Sequence, residues 1–202
     1  IQAALLERNQ SQMGQKIDLS LYDAAVSTLV NIGSNYLMTK EVPGRLGNSH
    51  ANIVPYDSFQ TSDGEIVIAV GNDEQFARFC DIIGHESLKN DERFQTNEKR
   101  VTYRKQLIPI IEEALRKKPT KYWYEKCEEV NIPSGPIQNL AQVYQDEQLN
   151  HRNMFIEMEH PTAGRIEMIG SPLKLSRTPV SYRQAPPTLG NYKFKKHLEN
   201  KR

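Results

Sequence analysis

A chain of 202 residues is long enough for one sizeable core or two small ones, and 38% hydrophobic with 25% charged residues is an ordinary globular composition. A formal net charge of +1 gives no global electrostatic reason to expect nucleic acid or an anionic membrane surface as a partner. No apolar run approaches the roughly 20 residues that span a bilayer, so a membrane-spanning role is not expected either.

The chain starts at Ile1 inside a helical pattern, with no signal or transit peptide visible, and reads as a piece of a larger polypeptide. IQAALLERNQSQMGQ opens with helix formers, and Gly14 is placed to cap its C-terminus. In KIDLSLYDAAVSTLVNIGSNYLM, Ser20 and Asp23 have capping-box spacing, which predicts a helix beginning near Leu21. Leu21, Ala24, Ala25, Thr28, Leu29 and Ile32 keep one face of it apolar. KEVPGRLGNSHAN follows as a loop punctuated by Pro43, Gly44 and Gly47.

IVPYDSFQTS and EIVIAV are strand-like runs joined by Asp63-Gly64, a strong short hairpin signature. Asn72 and Gln75 have capping spacing for a new helix with Phe76, Phe79, Cys80 and Ile83 on one face, closed by Gly84. RVTYRKQLIPIIEEALRKK sets Leu107, Ile111, Ala114 and Leu115 on one side, and Pro109 is expected to kink or restart the helix. Thr120 is expected to cap a helix carrying Trp123, Cys127 and Val130 at i, i+4, i+7. NIPSGP reads as a sharp break, LAQVYQDEQL as one short helix, and MFIEMEH with RIEMIG as a second hairpin around residues 161–164. The proline-rich tail SPLKLSRTPVSYRQAPPTLG is expected to run extended. Lys193, Lys195, Lys196, Lys201 and Arg202 at the end read as a solvated helix face or a frayed tail. The layout is α+β, with two β-hairpins, about four helices and no strand–helix–strand alternation, P-loop or repeat.

Candidate chemistry is sparse. Cys80 and Cys127 lie far apart in amphipathic patterns, as buried free thiols do, which suits a reducing compartment. His50, His85, His151, His160 and His197 show no metal-ligand spacing, and no metal site is expected. No serine sits in a G-x-S-x-G elbow, and Ser49 and His50, as neighbours in an extended segment, point to opposite sides and cannot easily form a dyad. His50 alone can be read as a donor to a substrate carbonyl or carboxylate, or as a loop histidine bonded to backbone. Asp18 reads as a turn anchor near a helix N-terminus. Trp123 reads as core, and the pairs Glu112-Glu113 and Glu128-Glu129 as solvated helix faces.

Taken in order, ALLERNQSQMGQKIDLSLYDAAV, GNSHANIVPYDSFQTSDGEIVIAVGNDEQFARFCDIIG, NIPSGPI, NMFIEMEHPTAGRIEMIGSPLKLS and APPTLG resemble the C-terminal half of the class III CoA-transferases. The hairpins PYDSFQTSDGEI and EMEHPTAGRIEM look closest to the dicarboxylate-using succinate–glutarate branch. The resemblance implies an interlocked homodimer whose large Rossmann-like domain is interrupted by a small α+β domain. Residues 1–42 would be terminal helices of the large domain, 43–172 the small domain, and 173–202 a segment returning to the large one. It also implies covalent catalysis, in which an aspartate forms a mixed anhydride with the acyl group and then a thioester with CoA. That aspartate lies upstream of residue 1, so no catalytic residue is carried over. No tightly bound cofactor is implied, only a coenzyme A thioester as substrate, with acyl-CoA, a carboxylic acid, the missing N-terminal half and a second subunit as partners. In the family a loop of the small domain shields the aspartate. In formyl-CoA transferase that loop is glycine-rich, whereas the matching positions here are Gly47, Asn48, Ser49, His50, Ala51 and Asn52. The glycine run is missing, which puts flap-like flexibility in doubt, while His50 and Asn52 could offer hydrogen bonds to a carboxylate. The implied setting is intracellular, cytoplasm or mitochondrial matrix. Two rivals stand beside this reading: an α-methylacyl-CoA racemase-like enzyme of the same superfamily, and a non-catalytic truncated dimerisation or binding module.

Overall fold

Helix formers at the start of the chain give α1 (Gln2–Ser11), seen in a computed structural model that describes residues 1–190. Lys193, Lys195, Lys196, Lys201 and Arg202 lie outside the described residues. The expected Gly14 cap is corrected. Gln12 already takes the left-handed conformation, at φ 60°, and donates its amide to the Arg8 carbonyl at 2.8 Å, which ends the helix two residues early. The Ser20 hydroxyl accepts the Asp23 amide proton at 3.0 Å and starts α2 (Leu21–Ser27) as its spacing predicts. The apolar stretch beyond is broken at Val30, which sits at φ 34° and opens α3 (Val30–Thr39). None of these three helices buries a residue: Leu21 is 91% exposed and Met38 85%. Their apolar faces stand bare.

β1 (Tyr56–Gln60) and β2 (Glu65–Ala69) pair antiparallel from Tyr56↔Ala69 to Gln60↔Glu65. At the tip the Thr61 amide donates to the Gly64 carbonyl at 2.9 Å, so Ser62 and Asp63, rather than Asp63-Gly64, are the central turn residues. Alternation along β2 sends Ile66 and Ile68 into the core and Val67 outward. Asn72 Oδ1 accepts the Gln75 amide at 2.8 Å and begins α4 (Asp73–Ile82), which buries Phe76, Phe79 and Cys80. Gly84, at φ +72°, follows its end.

A 3-10 turn (Glu86–Lys89) leads to α5 (Asn97–Thr102) and α6 (Arg104–Leu115). The break expected at Pro109 falls instead at Tyr103, and α6 runs through the proline. Pro109 and Lys105 are both exposed, so the one carbonyl deprived of a partner stands on the solvent side of the helix. α7 (Thr120–Glu129) buries Trp123 and Cys127. Thr120 is its first residue and not its cap. Asp63 of the hairpin tip supplies that function, its Oδ1 accepting the Thr120 amide at 2.8 Å and hydroxyl at 2.9 Å. NIPSGP, which reads only as a break, contains β3 (Ser134–Pro136), which pairs with the second edge of β2 to give the sheet order β1-β2-β3.

The residues to this point form one compact unit, Ile1–Ile137; Gln138–Arg202 form a second. In the second unit the expected single helix is two: α8 (Leu140–Tyr144), opened by an Asn139/Gln142 capping box, and α9 (Glu147–His151). The break arises because Asp146 captures the Leu149 amide at 2.8 Å and so starts a new N-terminus. β4 (Phe155–His160) and β5 (Gly164–Ile169) form the second hairpin as expected, its turn held by His160 Nδ1, which accepts the Ala163 amide at 3.1 Å. Beyond it the described tail holds no helix or strand, and the Tyr182 hydroxyl accepts the Ser171 amide. Residues 43–172 thus hold six α-helices where about four are expected, because long patterns divide at Tyr103 and Asp146, and ahead of them the pattern from Leu21 divides at Val30.

The core lies in the first unit, between the sheet and α4, α6 and α7. Burial pushes the Cys80 thiol up to about 12 and the Cys127 thiol to about 11; both are free and buried, as their patterns predict. Arg100 is wholly buried with them. Its guanidinium donates to the Val54 carbonyl at 2.8 Å, the Phe94 carbonyl at 2.9 Å and Asp73 Oδ1 at 2.8 Å, and lies 4.3 Å from the centre of the Phe76 ring.

The cap across the hairpin yields a pH-dependent expectation. Hydrogen bonds from the Thr120 amide and hydroxyl hold the Asp63 carboxyl below its ordinary value. A carboxylate with a depressed folded value contributes stability above the unfolded value, near 4, and loses it as pH falls through the folded one. The difference in Tm between the native chain and Asp63→Ala should therefore be full at pH 7 and narrow below about pH 4. A gap independent of pH between 7 and 3 would contradict the assignment.

Candidate functional site

Residues 47–52 lie between α3 and β1, and the structure ties nearly every one of them down. Gly47 sits at φ +63°, where a side chain would be strained, and turns the chain back. Asn48 Nδ2 donates to Ser58 Oγ at 3.0 Å, and the Ser49 hydroxyl donates to an Asp57 carboxylate oxygen. Ser49 therefore engages a carboxylate and not His50, in keeping with the expectation against a dyad.

The His50 amide donates to the Tyr56 carbonyl at 2.9 Å, and the ring stacks on Tyr56 with centroids 5.1 Å apart. Its Nδ1 accepts the Asn52 amide at 3.1 Å, which in the neutral ring places the proton on Nε2. Opposite Nε2, at 3.2 Å, stands the Asn31 side-chain amide, whose oxygen and nitrogen exchange places by a half-turn. Asn52 and Asn35 face each other as a reciprocal amide pair, Nδ2 to Oδ1 at 3.1 and 3.2 Å. From the other side one Arg104 guanidinium nitrogen donates to the His50 carbonyl at 2.6 Å and the Ala51 carbonyl at 3.0 Å. Asn97 completes the ring of supports. It donates to the Asn52 carbonyl at 2.7 Å and accepts the Val54 amide at 3.1 Å.

Asn31, Asn35, Asn97 and Arg104 escape a reading from sequence. Asn31 and Asn35 carry the one available signal, two amides at i and i+4 in a largely apolar helix. Behind the loop, Ser49, Asp57, Arg104, Val54 and Ile108 line a cavity of about 10 Å³, which holds at most one water and no substrate. Any ligand would have to meet the loop from its outer side.

The remaining candidates resolve towards structure. Trp123 is buried and donates Nε1–H to the Leu115 carbonyl at 2.7 Å. Glu128 accepts the Tyr124 hydroxyl, Glu129 pairs with Lys126, and Asp18 is exposed three residues ahead of α2. Among the described residues no group of three or more His, Cys, Asp or Glu is placed to hold a metal ion, and no helix is long and apolar enough to cross a membrane.

Comparison with known proteins adds to this geometry. The family model for CoA-transferase family III matches residues 1–193. Human succinyl-CoA:glutarate CoA-transferase is 36% identical over 192 residues, which are 95% of this chain and 44% of the relative. Succinate–glutarate CoA-transferase of Agrobacterium fabrum is 36% identical over 95% of this chain and 48% of its own length. The crystal structure of a CAIB/BAIF family protein from Brucella suis matches with a TM-score of 0.72 at 34% identity, over 93% of this chain and 48% of that one. The chain spans about half the length of the curated relatives it matches.

Proposed function

The chain belongs to CoA-transferase family III, and from that premise we propose that it is the C-terminal portion of an acyl-CoA:carboxylate CoA-transferase that uses dicarboxylates. The observation that carries this reading is the match of residues 1–193 to the family, together with the succinate and glutarate in the names of two relatives. In the proposed reaction an aspartate ahead of residue 1 attacks the thioester carbonyl, the carbon–sulfur bond breaks, and CoA leaves as thiolate. The thiolate then attacks the aspartyl carbonyl of the mixed anhydride and releases the donor carboxylate. The acceptor carboxylate reverses both steps. No cofactor is held tightly, because thioester and anhydride are close in energy and no nucleotide is consumed.

Residues 47–52 are proposed to stand over that aspartate and keep water from the acyl intermediates. The division into terminal helices of a large domain (1–42), a small domain (43–172) and a returning segment (173–202) goes with this reading. So do a second identical subunit and the upstream half as partners. The bare apolar faces of α1, α2 and α3 support a portion that needs the rest of its protein over a self-contained binding module. The buried free thiols accord with a reducing compartment, cytoplasm or mitochondrial matrix.

The test uses the intact protein with succinyl-CoA and glutarate, without ATP, and expects glutaryl-CoA. No transfer to any dicarboxylate would overturn the reading. His50→Ala and Asn52→Ala are expected to lower kcat/KM for the acceptor about tenfold while moving Tm little. Wild-type kinetics in both would reduce the loop to a linker.

A further inference from the structure

Every backbone carbonyl from His50 to Asn52 accepts a side-chain donor from elsewhere in the chain, two of them from the charged Arg104. The amides of His50 and Asn52 are also bonded, and the Asn52 side chain closes a two-bond pair with Asn35. A segment that swings open during turnover comes from the weakly held end of the stability range, with few such bonds. This one is held from α3 on one side and from α5 and α6 on the other.

We propose that Asn35 and Arg104 are positioning residues that clamp residues 50–52 between α3 and α6, making the loop a fixed wall of the acyl-transfer site and not a moving flap. The inference rests on the reading of residues 47–52 as part of that site. Its chemical consequence is control of water. Loosening the wall admits water to the acyl intermediate, so that acyl-CoA plus water gives free carboxylic acid plus free CoA thiol in place of a second thioester. The amide pair fixes how far the loop stands from α3 and the Arg104 bonds how far it stands from α6, so that acceptor fit, read in KM, depends on residues that touch no substrate.

The experiment takes the intact protein and its Asn35→Ala, Arg104→Ala, Arg104→Lys and Asn35→Ala/Asn52→Ala variants. Hydrogen–deuterium exchange of the His50 and Asn52 amides should be slow in the native protein and at least about tenfold faster in Asn35→Ala and Arg104→Ala. In the same two variants free thiol released per CoA transferred should rise about tenfold and KM for the acceptor should rise more than kcat falls, with Tm nearly unchanged. Arg104→Lys, which keeps a charged donor, should recover part of the loss. The Asn35→Ala/Asn52→Ala double variant should be no worse than Asn35→Ala alone, because the two amides act as one unit. Free exchange of both amides in the native protein would overturn the clamp, as would unchanged hydrolysis and KM in both alanine variants of an active enzyme. If the native protein transfers no CoA at all, the functional reading fails, and amide exchange still decides whether the wall is fixed.

Discussion

Arg100→Ala should destabilise the first unit by about 3–5 kcal/mol, well beyond what Asp63→Ala or any of the loop variants should cost. The side chain is 0% exposed, and its removal leaves the Val54 and Phe94 carbonyls without their donor inside the core and opens a void beside Phe76. Burial lowers the proton affinity of this guanidinium and the Asp73 carboxylate partly offsets that. Asp73 is itself 55% exposed at its side chain, so it can return to water once Arg100 is gone and adds little to the cost. The two stranded carbonyls and the lost packing account for the effect. Arg100→Met should recover the packing and not the hydrogen bonds, and so fall between the native chain and alanine. Urea unfolding measures this as a fall in midpoint at constant slope. A loss below about 1 kcal/mol would mean that the carbonyls find other partners.

The largest effect on activity is expected from separation. Residues 1–202 on their own should turn over succinyl-CoA with a carboxylate acceptor no faster than the uncatalysed background, because the aspartate proposed as nucleophile lies ahead of residue 1. Supplying the remainder of the protein in the same cell should restore transfer, since α1, α2 and α3 bury none of their residues and leave apolar side chains such as Leu21 and Met38 exposed. The measurement is appearance of the new acyl-CoA by chromatography, with and without the second polypeptide. Turnover by residues 1–202 alone would sink the proposal that the nucleophile lies elsewhere.

Much of the fold is legible in the sequence because its signals are local. Ser20 and Asn72 mark helix starts at the next residue by accepting the amide three residues on, Phe76, Phe79 and Cys80 share a face by periodicity, and both hairpins are marked by alternation and turn residues. β3 is missed because three residues, Ser134–Pro136, carry no period of their own and become a strand only by meeting β2. Arg100 in NEKRVTYR looks like any exposed basic residue, since its partner carbonyl at Val54 lies 46 residues away. The candidate loop is found by its composition and by resemblance, but its supports are not. Asn35 meets Asn52 across 17 residues and Arg104 meets His50 across 54, distances over which a local pattern has no voice.

Hairpin tips are ordinarily the place to insert an epitope, a fluorescent label or a split site, because a tip touches nothing but itself. The β1–β2 tip is an exception. Its Asp63 closes the first turn of a helix 57 residues downstream, so a graft between Ser62 and Gly64 would loosen α7 and with it the seat of Trp123, well away from the edit. A label meant to report on this protein without disturbing it belongs elsewhere.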